Sequence, residues 1–416
     1  MKTLEAWLSW QETLHPQEIE LGLERIRPVA EALDLLNPTA TVITVAGTNG
    51  KGSTIAILRA LAEAAGLQVG CYTSPHLVRY NERILINGEA ASDVAICNAF
   101  EAIDQARGEI SLTYFEFGTL AALYLFQQQP LDLWLLEVGL GGRLDAVNLI
   151  DADVALLTTV DLDHQAWLGE DRESIGREKA GIFRSETPAI IGELSPPHSV
   201  IDHAAALGTP LYRYGVDFGV EMTASQWDWW SQNRRYDALP LPTLPGAIQC
   251  QNSAAALMAF ETLGWLEKLS SAHVAKGLQQ VQLQGRFQQL EVAPALIVDV
   301  SHNPQAVDTL ANHLQQQPSK GQTIAVVGML RDKEVGRVIS TLQSAVDRWI
   351  AVGLDGNRAL PAEEMMREVM AVTDEAVIQQ PTVVEGVALA RTLALPEDRI
   401  LVFGSFYTVA AVLEAQ

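Results

Sequence analysis

A chain of 416 residues with 48% hydrophobic and 19% charged residues has globular composition and is longer than one ordinary core organises, which points to two domains. Its formal charge of −23, from 28 basic and 51 acidic residues, repels a nucleic-acid backbone and excludes DNA or RNA as the main partner. The same field repels nucleotides, so an anionic ligand has to be captured locally by helix N-termini, a few basic side chains and divalent cations.

The N-terminal stretch "MKTLEAWLSWQETLHPQEIELGLERI" carries acids and an amphipathic pattern where a signal peptide needs a basic start and an unbroken apolar run. No window reaches the about 18 apolar residues of a membrane span, so no membrane partner and a cytoplasmic location are expected. Three scattered cysteines, Cys71, Cys97 and Cys250, read as buried thiols in a reducing compartment.

From about position 40 short β-branched runs alternate with helical patterns, the signature of βαβ units and a parallel sheet. "TVITVA" (41–46) reads as a buried strand and "KGSTIAILRALAEAAG" as its helix, stopped by Gly66. "LQVGCYT" is the next strand, and Asn87-Gly88 in "ERILINGEA" signals a hairpin. Two helices follow, then the strongly apolar strands "LDLWLLEV" and "ADVALLTTV". Between about 215 and 245 the tryptophans and "LPLPTLPG" indicate a small β excursion, after which helices resume at "CQNSAAALMAFETLG". A second alternating series ("ALIVDV", "TIAVVG", "RWIAVGL", "RILVFGS") begins after a hinge near Gly285. The expected fold is α/β: a P-loop-type parallel-sheet domain over 1–284, a hinge at 285–289 and a smaller Rossmann-like C-terminal α/β domain over 290–416.

"VAGTNGKGST" (45–54) lies between the first strand and its helix. A P-loop wants glycine five positions before its Gly-Lys pair and Ser or Thr right after the lysine. Here Val45 holds the first position and Gly52 intervenes before Ser53, so the match is to a variant loop. The mechanics survive: Gly47, Gly50 and Gly52 let amides converge, and Lys51 adds a point charge at a helix N-terminus.

In an open parallel sheet ligands sit at the carboxyl ends of strands. Ser74 follows one strand, Glu137 ends another, and Asp161, Asp163 and His164 follow a third. A hydroxyl, a carboxylate and an imidazole beside a phosphate loop make a candidate magnesium site, the imidazole being unusual for that ion. Taken alone, Glu137 reads equally well as a buried acid paired with Arg143. In "RESIGREKAGIFR" small and apolar neighbours surround Lys179, so its stem is expected to be buried. Downstream, Asn303 and Pro304 form a strong helix start after "VDVS", and "VFGSFYTVAAVL" repeats the scheme. Both helix N-termini are expected along one sheet edge, a natural lip for a cleft between domains, and Asp299 and His302 sit on that lip.

Together "VAGTNGKGST", "YTSPHLVRYNERI", "YFEFGTLAAL", "LEVGLGGRLDA", "LDH", "IGREKAGIFR", "GRFQ", "VDVSHNP" and "LVFGSFYTV" resemble, in order over nearly the whole chain, the folylpolyglutamate synthase family within the superfamily of ATP-dependent Mur-type amide ligases. The resemblance implies that 1–284 binds ATP and pterin and that 290–416 is the glutamate ligase domain. It further implies γ-phosphoryl transfer from ATP to a substrate carboxylate, followed by attack of the amine of L-glutamate on the acyl phosphate. By the match, Thr48, Asn49, Gly50, Lys51, Gly52 and Ser53 contact ATP, as do Asn252, Arg286, Asp299 and His302. Ser74, Glu137 and His164 match the family's ligands for Mg²⁺, of which two ions are expected. Lys51, Lys179 and His164 are the implied catalytic residues, Lys179 matching a lysine carrying a CO₂-derived carbamate that also ligates metal. The family's bifunctional bacterial members have a dihydropteroate site, matched here by Glu20, Leu21, Gly22 and Leu23, by Thr113, Tyr114, Phe115 and Glu116, and by Leu144, Asp145 and Ala146. Tyr114 and Phe115 read equally as helix core or as a platform for a flat heterocycle. Gln165 departs from the family where threonine is commoner.

The expected activity is that of a monomeric dihydrofolate synthase and folylpolyglutamate synthase acting on ATP, dihydropteroate, reduced folates and L-glutamate. Two alternatives are a muramyl-peptide ligase of the same superfamily and a non-catalytic ATP-binding switch.

Overall fold

The computed structural model describes residues 2–356 and 358–416. The chain forms two compact units, Met1–His76 with Tyr80–Gln282, and Leu77–Arg79 with Leu283–Gln416.

The first unit is built on an eight-stranded sheet. Its strands are β1 (Thr41–Ala46), β2 (Val69–Tyr72), β3 (Ile84–Ile86), β4 (Glu89–Ala90), β5 (Leu133–Glu137), β6 (Val154–Leu157), β7 (Ala189–Ile191) and β8 (Leu211–Arg213). They lie in the order β4-β3-β2-β5-β1-β6-β7-β8. From β2 to β8 every pairing is parallel, and β2, β5, β6 and β7 are buried at every position. Strands covered by helices on both faces need apolar side chains in both directions, which is why these runs are uninterrupted in the sequence. Asn87 (φ 52°) and Gly88 (φ 80°) make the turn between β3 and β4, which pair antiparallel.

The tryptophan-rich stretch forms a separate antiparallel sheet of β9 (Phe218–Met222), β10 (Gln226–Ser231) and β11 (Arg235–Pro240). Trp229 is fully buried and its indole N–H donates to Ala254 O at 3.1 Å, which docks this sheet on the helix Ala247–Thr262. That helix carries Asn252.

The second unit holds β12 (Gln288–Val292), β13 (Ala295–Asp299), β14 (Thr323–Val327), β15 (Arg348–Val352), β16 (Val377–Gln380) and β17 (Arg399–Phe403), in the order β12-β13-β17-β14-β15-β16. Only β12 runs antiparallel. Asp299 stands opposite Phe403, so β13 and β17 end side by side. The helices that follow them, Pro304–Gln316 and Phe406–Glu414, start together. Asn303 Oδ1 accepts from Ala306 N (3.0 Å), and Ser405 Oγ accepts from Thr408 N (3.0 Å). No helix among the described residues is long and apolar enough to cross a membrane.

Because one Asn303 oxygen satisfies an otherwise orphaned amide, Asn303→Ala should cost about 1 kcal/mol of stability. Urea denaturation followed by circular dichroism should show a lower midpoint with an unchanged slope, and an unchanged midpoint would contradict the capping role.

Candidate functional site

The loop after β1 is shaped by two glycines. Gly50 (φ 87°) caps the helix Lys51–Ala64 in a left-handed conformation. At Gly47 (φ 150°) an added Cβ would lie 1.8 Å from Thr158 Oγ1. That closeness exists because the end of β6 braces the loop from one side. Thr48 N donates to Thr159 O (2.6 Å), and Thr48 Oγ1 both donates to Asp161 O (3.1 Å) and accepts from Asp161 N (3.0 Å). Thr158 Oγ1 donates to Asn49 O at 2.6 Å. Asn252 closes the other side: a Cβ at Gly50 would meet its Oδ1 at 3.2 Å, and its amide is steadied by Gln249 Oε1 at 3.0 Å.

Two lysines converge on this loop. Lys51 Nζ donates to Gly47 O (3.0 Å) and Thr48 O (3.3 Å). Lys179, only 5% exposed, donates to the same Gly47 O at 2.9 Å, across 132 residues of sequence. Burial above all, then the neighbouring Lys51 charge, lowers the Lys179 amine from 10.5 to about 7. Its helix, Arg172–Ala180, is brought close by the "GLGGR" segment, since a Cβ on Gly142 would lie 2.7 Å from Lys179 O. Arg143 is turned outward there and pairs with Glu178 at 2.9 Å. The pairing of Glu137 with Arg143 is therefore not the one the chain adopts.

Glu137 ends β5 buried, and Ser74 N donates to its Oε2 at 3.1 Å. His164 (φ 52°) begins the short helix Gln165–Leu168; its N–H donates to Asp163 Oδ1 at 2.9 Å, and its ring nitrogen lies 3.9 Å from Asp163 Oδ2. Ser74, Glu137, the Lys51 loop and His164 thus belong to the carboxyl ends of β2, β5, β1 and β6, four consecutive strands of the sheet. Among the described residues no three His, Cys, Asp or Glu side chains form a self-sufficient metal cage. Two oxygen donors and one imidazole do fit Mg²⁺ or Mn²⁺ bound together with nucleotide, where one or two protein carboxylates suffice and phosphate and water oxygens complete the shell.

Beside this edge three distant segments meet. Gly22 N donates to Leu144 O at 3.2 Å. Arg25 pairs with both Glu20 and Glu116, the latter at 2.9 Å. Thr113 and Glu116 form a reciprocal capping box: Glu116 N donates to Thr113 Oγ1 (3.2 Å) and Thr113 N to Glu116 Oε2 (2.8 Å). Leu21, Leu23, Tyr114 and Phe115 are half-buried, and the Phe115 ring lies 5.9 Å from that of Tyr72 and packs on Gly139. Asp145 is buried beside Ala146, and its oxygens accept from Leu140 N (2.8 Å) and Val147 N (2.9 Å); burial raises its carboxyl to about 6. It shapes its own turn.

In the second unit, Asp299 accepts from Phe287 N (2.7 Å) and Ser301 N (2.8 Å) and also takes the Ser301 hydroxyl. The Arg286 guanidinium lies 5.6 Å from the centroid of the Phe406 ring, and the His302 ring is 6.1 Å from it. Arg25, Thr158 and Thr159 join these contacts with no motif to announce them; polar residues directly after an apolar strand are the signal that points to the last two.

The geometry at Gly47 sets a strong expectation. Gly66 (φ 81°) has nothing within 4 Å of an added Cβ, so Gly66→Ala should cost only the conformational penalty of about 1 kcal/mol. Gly47→Ala adds overpacking against Thr158, about 1–3 kcal/mol more. Equal urea midpoints for the two variants would contradict the bracing described.

Residues 285–406 match the model of the Mur ligase glutamate ligase domain. The dihydrofolate synthase/folylpolyglutamate synthase of Escherichia coli is 45% identical over 99% of this chain and 95% of its own length. The structure of E. coli FolC in complex with DHPP and ADP superposes with a TM-score of 0.94 at 44% identity, covering 100% of this chain and 97% of that one. A bifunctional folylpolyglutamate synthase/dihydrofolate synthase with Mn, AMPPNP and L-glutamate bound superposes with a TM-score of 0.92 at 46% identity, covering 100% and 98%. The chain belongs to the dihydrofolate synthase/folylpolyglutamate synthase family of Mur-type ligases.

Proposed function

We propose that this ligase joins L-glutamate to dihydropteroate, giving dihydrofolate, and to reduced folates, giving folylpolyglutamates, each through an acyl phosphate. A carboxylate oxygen of the acceptor attacks the γ-phosphorus of ATP and ADP leaves. The amine of glutamate then attacks the acyl carbon, the C–N bond forms, and phosphate leaves with the former carboxylate oxygen. The observation that carries this reading is the convergence of Lys51 and Lys179 on one loop carbonyl, 3.0 and 2.9 Å from it, on the sheet edge that also bears Ser74, Glu137 and His164.

Lys51 neutralises the phosphates, and the amides of Thr48, Asn49, Gly50, Gly52 and Ser53 meet them at a helix N-terminus. Asn252, Arg286, Asp299 and His302 are proposed to contact the nucleotide. Ser74, Glu137 and His164, with Lys179 once carbamylated, would hold Mg²⁺, of which we propose two ions. When bound, the metal draws charge from the phosphoryl oxygens. Lys179 suits carbamylation because addition to CO₂ requires a neutral amine, and the product is an anion where an ammonium would repel a cation. Glu20 to Leu23, Thr113 to Glu116 and Leu144 to Ala146 are proposed to form the dihydropteroate site. We further propose that the enzyme acts as a monomer. The buried free thiols of Cys71, Cys97 and Cys250 fit a reducing compartment such as the cytoplasm.

Lys51→Ala should abolish ADP release with dihydropteroate or tetrahydrofolate, glutamate and Mg²⁺ while the circular dichroism spectrum is kept. Retained turnover would overturn the role given to the loop, and wild-type protein that binds ATP yet releases no ADP with either acceptor would be a switch. For Lys179, ¹³C-bicarbonate labelling monitored by NMR should rise with pH as the amine deprotonates and level off above about 7. A signal still climbing near pH 10 would mean an ordinary lysine.

A further inference from the structure

"SPHLVRYNERI" contains a buried cation that the reaction just described does not use. Arg83 is 9% exposed, and no carboxylate of the described residues pairs with it. Its Nε donates to His76 Nδ1 at 2.8 Å, which fixes that ring nitrogen as an acceptor. Its guanidinium carbon lies 5.5 Å from the ring centroids of both Tyr80 and Tyr114. Neither terminal nitrogen is sealed from solvent, and neither has a protein partner among the described residues. Burying an arginine without an anion is costly, and cation–π contact offsets only part of that cost.

Its position gives the anion a source. Arg83 precedes β3, and its carbonyl accepts from Thr73 N at 2.9 Å, one residue before Ser74, whose own N–H holds Glu137. On its other side stands Tyr114, within the segment assigned to the pterin. The Arg83 backbone is thus tied to the strand end that carries Ser74, while its guanidinium reaches Tyr114 in the segment assigned to the pterin, so this one residue links the two places. Dihydropteroate has one carboxylate and presents it for activation. A folate ends in a glutamyl residue with two carboxylates, and the one not activated stays an anion beside the reacting centre.

We propose that the Arg83 guanidinium binds this second carboxylate of the folate acceptor, with His76 as a positioning residue that orients it through Nε; this rests on the function proposed above. Arg83 then selects between the two acceptors.

The test measures kcat/KM by ADP release for dihydropteroate and tetrahydrofolate with wild type, Arg83→Gln and Arg83→Lys. Losing a charge-assisted hydrogen bond should lower the tetrahydrofolate-to-dihydropteroate ratio about 10- to 100-fold in Arg83→Gln, with partial recovery in Arg83→Lys. An unchanged ratio overturns the proposal, including the case in which both acceptors suffer equally. Should the variants fail to fold, wild type assayed with tetrahydrofolate whose non-activated carboxylate is converted to an amide gives the same answer: a comparable rise in KM supports the contact, and an equal KM refutes it. Wild type that turns over neither natural acceptor would instead count against the proposed reaction.

Discussion

A single backbone carbonyl, that of Gly47, receives two ammonium groups, and the rest of the candidate site is arranged around that constraint. Lys51 reaches it from the first turn of the helix that follows, Lys179 from a helix more than a hundred residues on. Two cations at one oxygen repel each other, and the repulsion, added to burial, is what moves the Lys179 amine into the physiological range. The loop can present that carbonyl because Thr158, Thr159 and Asp161 hold it rigidly against the end of β6. An unsubstituted Gly47 is the condition for such close approach.

The strongly acidic chain makes this local concentration of positive charge intelligible. A field of net charge −23 disfavours a triphosphate everywhere except where lysine, helix N-terminus and divalent cation act together within a few ångströms. The same reasoning applies at Arg83, another desolvated cation held in place by aromatic rings and an imidazole. In both places the fold keeps a positive group poorly compensated by its own acids, which leaves its field available to an anionic ligand.

Local chemistry is legible in the sequence. Asn87-Gly88 makes its hairpin turn, Asn303 and Pro304 start their helix, and the apolar runs at 133–137 and 154–157 are strands buried on both faces, each because the signal lies within a few consecutive residues. Tertiary partners were not legible in that way. Nothing local announces that Arg25 ties Glu20 to Glu116, or that Thr158 braces Asn49, because such contacts depend on strand order. Glu137 and Arg143 are near in sequence and opposite in charge, yet the glycine-rich turn between them sends the arginine outward to Glu178 while the strand keeps the acid inside. Asp145 lies within a segment matched to a ligand site and proves to be engaged by backbone amides of its own turn.

A carboxylate made reactive by phosphorylation at the Gly47 loop must surrender one of its oxygens to phosphate, and the fate of that oxygen is the most direct test. Dihydropteroate labelled with ¹⁸O in its carboxylate, turned over with ATP, L-glutamate and Mg²⁺, should deliver one labelled oxygen to the inorganic phosphate released, as read by mass spectrometry. Phosphate free of ¹⁸O in the presence of amide product would contradict the account.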